Sequence, residues 1–242
     1  MDRKMILSVL AIAVFGVIGV MLILPDPIED GIPRLPWLIE QTPEGGTTAF
    51  GFTLGQTTLG EVRKVFKEEG KINLFASGPG DARNYTVEAY FEQIYLHRLR
   101  ADFVLSLDAS QEMLAAMFDR GLRISQIGSG SKKVKLDPED IHTLLSVPIS
   151  TITYLPMARL DEDLLEKRFG KPDEKRTEEN GVIHWLYPAK GLDIGREPDG
   201  SSVMQYVDAR DFTNVIEQLP DRPTADAGPA KDVSQPADAQ TQ

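Results

Sequence analysis

The longest apolar segment of the chain, residues 5–24, contains no charged residue. A helix of that length crosses roughly 30 Å of hydrocarbon, the thickness of a bilayer core. Arg3 and Lys4 precede the segment and acidic residues follow it, so the positive-inside rule places the N-terminus in the cytoplasm. The pattern predicts a transmembrane anchor over residues 1–24, with the rest of the chain outside the cytoplasm.

A cleaved signal peptide and a buried helix of a soluble domain are the alternative interpretations. A signal peptide has an apolar core of about 7–15 residues, followed by small residues at the cleavage site. Here the A-x-A pattern from Ala11 to Ala13 lies inside the apolar run, and the run ends at Leu24, directly before Pro25. The pattern therefore favours an uncleaved anchor.

Proline and polar residues mark the two ends of the exported part. Five prolines in residues 25–49 disfavour a helix and favour a stiff, extended linker. Within this linker Trp37, Leu38 and Ile39 are apolar enough that we expect them to pack against the folded domain. Residues 220–242 contain no aromatic side chain and one large aliphatic side chain, so we predict a disordered tail.

Two short amphipathic helices have the same pattern of cap and apolar stripe. Thr58, followed three residues later by Glu61, predicts a capping box before a helix that ends near Phe66. Asp161 is the predicted N-cap of the second helix, and Gly170 is predicted to end it. Alternating apolar runs separated by turn residues follow both helices, as in an antiparallel meander.

These patterns predict an α+β fold with two related helix-plus-sheet units. A third helix is predicted over residues 110–120, a fourth begins at Asp137, and a hairpin is expected around Gly128 to Gly130. The predicted strands are residues 72–76, 85–91, 94–107, 147–154, 182–187, 192–197 and 203–207. The predicted organisation is an anchor (1–24), a linker (25–49), a first unit (50–109), a connecting α/β segment (110–156), a second unit (157–219) and a tail (220–242).

The second unit resembles a known class of exported module. The stretches F-G-K-P-D (169–173), W-L-Y (185–187), G-L-D-I (191–194) and D-G-S-S-V (199–203) are similar to the SmpA/OmlA lipoproteins of the outer-membrane assembly machinery and to the wider β-lactamase-inhibitor-protein-like (BLIP-like) superfamily. The resemblance implies helices packed on a small antiparallel sheet, and binding of other proteins in place of catalysis. The present chain differs from the lipoproteins because it has no cysteine to acylate.

Composition excludes several classes of function. The chain of 242 residues has no cysteine, which excludes disulfides, thiol catalysis and cysteine-ligated metals. The net charge is -11, and the segment after residue 24 is still more acidic because residues 1–24 carry a small positive charge. Nucleic-acid binding needs concentrated Lys and Arg, so we predict no nucleic-acid partner.

No set of residues in the sequence forms a recognisable active site. The three histidines lie in different segments: His97, His142 and His184. In the alternating strand pattern, the side chain of His184 lies on the same face as Leu186 and on the opposite face from Trp185. The acidic pairs and triplets are expected to be solvated surface, without a calcium-loop pattern, and residues 132–135 (K-K-V-K) are expected to be a solvated strand face. The acidic groups are Glu68-Glu69, Asp161-Glu162-Asp163 and Glu178-Glu179. The sequence predicts no catalytic, cofactor-binding or metal-binding residue, and no cofactor.

Together with the anchor and the linker, the resemblance implies a non-enzymatic binding or scaffolding module in the inner membrane of a bacterium. We expect a single-pass protein that is attached to the membrane through residues 5–24, has its C-terminal domain in the periplasm and is bound to another envelope protein. Two sets of aromatic residues are candidate docking surfaces, although both sets also suit core packing: Trp185, Tyr187 and Tyr206, and Tyr90 with Tyr95. An envelope hydrolase with a site assembled from scattered residues and a sensory ectodomain are the alternative functions.

Overall fold

The computed structural model describes residues 31–78, 83–126 and 131–218, and the described residues from Arg34 onward belong to one compact unit. The predicted anchor at residues 5–24 and the predicted tail at residues 220–242 lie outside the described residues. Among the residues that are described, no helix combines the length and the apolar character needed to span a membrane.

The described residues form thirteen strands and five α-helices. The strands are β1 (Ile39–Gln41), β2 (Thr47–Ala49), β3 (Phe52–Thr53), β4 (Lys71–Ser77), β5 (Asn84–Leu96), β6 (Leu99–Leu107), β7 (Arg123–Gln126), β8 (Lys132–Lys135), β9 (Ile149–Pro156), β10 (Glu174–Thr177), β11 (Ile183–Tyr187), β12 (Leu192–Arg196) and β13 (Ser202–Tyr206). The helices are α1 (Leu59–Phe66), α2 (Gln111–Asp119), α3 (Pro138–Leu144), α4 (Glu162–Phe169) and α5 (Phe212–Gln218). This mixture of helices and antiparallel strands, in which strands predominate, agrees with the predicted α+β class.

Ten of these strands form one antiparallel sheet in the order β10-β11-β12-β13-β9-β6-β5-β4-β8-β7, and β1, β2 and β3 form a second, small sheet. Strand β9 pairs with β6 on one side and with β13 on the other. Because β9 belongs to the predicted connecting segment, the large sheet is continuous from the first predicted helix-plus-sheet unit to the second.

Alternation along the central strands directs one set of side chains into the main core. Along β6, Ala101, Phe103 and Leu105 are buried, and the residues between them are half-buried on the opposite face. Helices α1, α2 and α4 and the small sheet all contribute buried residues to this core. On the opposite face, α5 packs through Phe212 against Leu186.

The core contains a connected network of aromatic rings around Phe103. The ring centroid of Phe103 lies 4.9 Å from that of Phe66 in α1, and 5.2 Å from those of Phe50 and Tyr154. Phe50 lies in the turn between β2 and β3, so these contacts join the small sheet, the first helix and the large sheet. Such ring pairs contribute about 0.5–1.5 kcal/mol each beyond the burial of their area.

The predicted helix starts are confirmed. Thr58 and Glu61 form the capping box of α1, since the side chain of each accepts a hydrogen bond from the backbone N–H of the other. The side chain of Asp161 caps α4, and Gly170 is its C-cap. Asp137 caps α3, which has proline in its first turn, as predicted. All of these devices act over a few residues, which is why a local pattern reveals them.

The predicted strand at residues 94–107 is wrong in one respect, because it contains a hairpin turn. The chain reverses at His97 and Arg98, both of which have positive φ (44° and 68°), and β5 and β6 pair on either side. The predicted break before residue 94 is a β-bulge in which Gln93 has a φ of 55°. Neither Gly, Asn nor Asp marks the turn, so the usual signal of a two-residue hairpin is missing.

The structure also contains strands and a helix that the sequence pattern did not predict. The linker predicted over residues 25–49 includes β1 and β2. Trp37 and Ile39 pack against the core as expected, but Leu38 is 38% exposed. Strand β10 has the sequence E-K-R-T, without an apolar residue, and joins the sheet by pairing with β11. Helix α5 is also additional to the predicted elements.

We expect Phe103→Ala to lower the free energy of unfolding by about 3–5 kcal/mol, because the side chain is 1% exposed and its removal leaves a cavity among three rings. Urea denaturation of the full chain measures this loss. The control Tyr95→Ala removes a ring that is 66% exposed and should cost under about 0.5 kcal/mol. Similar losses in the two variants would contradict the assigned role of Phe103.

Candidate functional site

The three histidines lie in three separate places. His97 is in the turn between β5 and β6, and His142 is exposed on α3. His184 lies in β11 beside Trp185, which faces the main core, and Leu186, which faces α5. The predicted alternation of His184 and Leu186 against Trp185 is therefore confirmed.

His184 bridges two carboxylates on the sheet face that is opposite the main core. Its Nδ1 lies 2.8 Å from Oδ2 of Asp193 in β12, and its Nε2 lies 3.2 Å from Oε1 of Glu178 in the loop between β10 and β11. Asn180 in the same loop donates a hydrogen bond of 2.8 Å to the other oxygen of Glu178. The side chains of His184 and Asp193 are only 12% and 6% exposed. The cluster therefore connects the loop to two adjacent strands.

Burial lowers the pKa of His184, but the hydrogen bonds and negative charges of Asp193 and Glu178 outweigh burial, so its pKa is raised overall. Each ring nitrogen lies within hydrogen-bond distance of one carboxylate, and the ring in its protonated form donates a hydrogen bond to both. Both ring nitrogens are then occupied, and neither is available to accept a proton from a nucleophile. Among the described residues there is also no group of three or more His, Asp or Glu side chains placed to hold a metal ion.

The acidic groups have different roles from one another. Asp161 and the two residues after it form the N-cap and first turn of α4, where the helix dipole favours negative charge. Glu68 and Glu69 lie in the exposed segment after α1. The prediction that Glu178 is solvated surface is wrong, because this side chain is 28% exposed and contacts His184.

The structure separates the aromatic candidates for docking. Trp185, Tyr187 and Tyr206 are at most 2% exposed and belong to the main core, so they form no docking surface. The hydroxyl of Tyr90 donates a hydrogen bond of 2.6 Å to Asp102. Tyr95 is 66% exposed and is the one member of the two sets with a largely accessible ring.

The basic stretch at residues 132–135 is confirmed as an alternating strand. Val134 is fully buried in the core, and the three lysines of β8 are exposed. Strand β8 pairs with β4 on one side and with β7 on the other. The predicted hairpin is present as the antiparallel pair β7–β8, and residues 127–130, which include Gly128 and Gly130, lie outside the described residues. We call these two strands the basic hairpin.

Several contacts hold the basic hairpin against the body of the domain. Arg120, the C-cap of α2, donates a hydrogen bond of 2.6 Å to Asp140 of α3, a carboxylate that is 7% exposed. Gly121 follows, and a Cβ atom at this position would lie 2.2 Å from Cγ1 of Val134, so a larger residue would displace the Val134 side chain of β8. The backbone N–H of Leu122 then donates to the carbonyl of Lys135 at 2.9 Å.

Strand β7 is at one end of the large sheet and β10 is at the other, and every residue in β7 is exposed. In the described part of the chain no strand pairs with its outer edge. Ile124 is 48% exposed and Leu122, just before the strand, is 56% exposed. Sequence reasoning missed β7 as a candidate site. The signal in the sequence is the segment 120–136, which contains five basic residues and no acidic one within a strongly acidic chain.

Comparisons with protein families, with characterised proteins and with solved structures found no match to this chain.

We expect the stabilising effect of His184 to depend on pH. Because its folded-state pKa is raised, its contribution is fully present below the unfolded value of about 6.5 and is lost as the pH rises through the folded-state value. Urea denaturation should therefore show a difference in unfolding free energy between the native chain and His184→Gln that is largest in acid and shrinks as the pH rises. His142→Gln, which removes an exposed histidine, is the control. A difference that stays constant across this range would contradict the protonated bridge.

Proposed function

We propose that this protein is a non-enzymatic binding or scaffolding module of the bacterial envelope. Residues 5–24 hold it in the inner membrane as a single-pass anchor, and the domain that begins at Arg34 binds another envelope protein in the periplasm. The proposal assigns the protein no cofactor, metal or nucleic-acid partner. The observation that carries it is the exposed end strand β7, which presents Leu122 and Ile124 beside an outer edge that no other strand of the described residues pairs with.

An exposed edge strand is a natural place for another chain to bind, because its outer N–H and C=O groups are available for pairing. Folded proteins commonly protect such an edge with lysine, proline or a bulge in the strand itself. The lysines here lie on β8, the second strand, and the end strand carries a single basic residue, Arg123. The apolar side chains at the edge are therefore accessible to a partner.

The half-buried cluster around His184 supports a binding role over catalysis. His184 makes hydrogen bonds through both ring nitrogens, to Asp193 and Glu178. This arrangement ties strands together and presents no free ring nitrogen to a substrate. These contacts thus favour a structural role for His184.

The proposal includes two related helix-plus-sheet units of the SmpA/OmlA or BLIP-like kind. In each, a capped short helix ends in phenylalanine and is followed by an antiparallel meander, β4–β6 after α1 and β10–β13 after α4. Each terminal phenylalanine packs on the following meander. Phe66 lies 5.1 Å from Phe91 in β5, and Phe169 lies 6.4 Å from Tyr187 in β11.

The anchor has a direct test. If residues 5–24 span the membrane uncleaved, N-terminal sequencing of the mature protein in its native host should show the chain starting at or near Met1. Alkaline carbonate should leave the protein in the membrane pellet, because extraction removes peripheral proteins and leaves spanning helices in place. A mature N-terminus near residue 25, with release of the protein by osmotic shock, would contradict the anchor.

The binding role can be tested by placing a photo-crosslinking amino acid at Ile124 of the full chain in living cells. We expect one specific envelope protein to be captured from this position, since a partner on the β7 edge would contact the side chain. The same amino acid at Leu164 is the matched control, because Leu164 is also exposed but lies on α4.

To support the proposal, the captured protein must also bind the full chain when both are purified. Capture of no protein at Ile124, or of the same set of proteins at Ile124 and Leu164, would contradict a docking site at this edge.

A further inference from the structure

We infer that the β7 edge accepts an extended, acidic segment of a partner protein, which adds to the large sheet as a further strand. This inference rests on the proposed function, and it specifies the chemistry of the partner. The observations that carry it are the open edge of β7, the distribution of charge on the basic hairpin, and the different character of its two faces.

The basic hairpin is a concentration of positive charge on an acidic protein. Arg123, Lys132, Lys133 and Lys135 lie on its two strands, whereas the whole chain has a net charge of -11. Arg120, at the base of the hairpin, is already paired with Asp140. Among the described residues, no carboxylate lies within ion-pair distance of the four hairpin cations. Their charge is therefore available to an acidic partner.

The register of the hairpin places three of its four cations on one face and its two apolar side chains on the other, where Lys132 pairs with Gln126. Arg123 pairs with Lys135 and Ser125 pairs with Lys133, so these side chains share one face. Ile124 pairs with Val134 on the other face, the face of the main core. An added strand that suits both faces carries acidic side chains on the first face and apolar side chains on the second, in alternation.

The same features disfavour two other occupants. A second copy of this chain, paired through its own β7, would bring two basic hairpins together, and like charges opposite each other are destabilising. A lipid surface would leave the edge N–H and C=O groups of β7 without partners in an apolar medium. An extended acidic chain satisfies both the charges and the backbone groups.

A labelled peptide tests the inference on the full chain in a neutral detergent. The probe is an end-blocked peptide of about six residues, the length of a typical strand, in which Glu and Val alternate. Fluorescence anisotropy should show saturable binding that weakens as salt is added. We expect Lys133→Glu with Lys135→Glu to raise the Kd by about tenfold or more, since two attractions become repulsions.

The matched control is Lys64→Glu with Lys167→Glu, which makes the same change in net charge at two exposed lysines on α1 and α4. We expect its Kd to equal that of the native chain. A peptide with the same side chains but with N-methylated amides should not bind, because it cannot pair with the edge. Circular dichroism confirms that each variant is folded, and Ile124→Ser provides a second variant, which should also raise the Kd.

Equal Kd values for the two charge-reversal variants, or unchanged binding of the N-methylated peptide, would overturn the inference. A dimer of the full chain that depends on Ile124 would overturn it as well, because a second copy would then occupy the edge. Failure here and failure of the proposed function are distinguishable. If crosslinking at Ile124 captures a specific protein while peptide binding is independent of Lys133 and Lys135, the binding role stands and the acidic partner is rejected.

Discussion

The contact on which the rest of the structure depends is the packing of aromatic rings around Phe103 on one face of the large sheet. Phe66 comes from the first helix, Phe50 from the small sheet and Tyr154 from β9, and all three rings meet Phe103. Without this shared face, the small sheet and the helices would have little apolar surface to cover. The network lies on the buried face of β6 and β9, which are neighbours at the middle of the large sheet.

The helices and the small sheet cover the main core and leave the end strand β7 exposed. Helices α1, α2 and α4 and the small sheet gather over the main core, and α5 covers part of the opposite face near Leu186. Strand β7 lies at the end of the sheet, where all of its residues are exposed. The basic hairpin is held there by the pairing of Arg120 with Asp140 and by the fit of Gly121 against Val134. A rigid base with an open edge is the arrangement that strand addition requires.

The His184 cluster and the basic hairpin are both polar, but they differ in accessibility. The cluster is largely buried, and the hairpin is exposed. His184 has the partners expected of a reactive histidine, but the carboxylates of Asp193 and Glu178 occupy both nitrogens. The hairpin carries side chains of little chemical reactivity, yet its charges and backbone edge are exposed. The features that favour binding are thus accessible at the surface, and those that resemble catalysis are used within the fold.

The helix caps and the strand alternation could be predicted from the sequence because they depend on local interactions. The caps at Thr58, Asp137 and Asp161 involve residues two or three apart, and the alternation of His184 with Trp185 follows from strand geometry. The turn at His97 and Arg98 carries no turn residue, and β10 has no apolar residue, so both depend on neighbouring strands. The contacts of His184 depend on strand register, which a pattern of single strands leaves open.

The sequence by itself determined the α+β class, the helix starts, the apolar segment at residues 5–24 and the alternating character of β8. Only the tertiary structure decided which aromatic rings are buried, because Trp185 and Tyr95 look equally suited to a core or to a surface until their faces are assigned. It also decided that β7 is one of the two end strands of the large sheet. Strand order arises from pairing between distant segments, and hydrophobic periodicity along the chain carries no information about which strand lies at an edge.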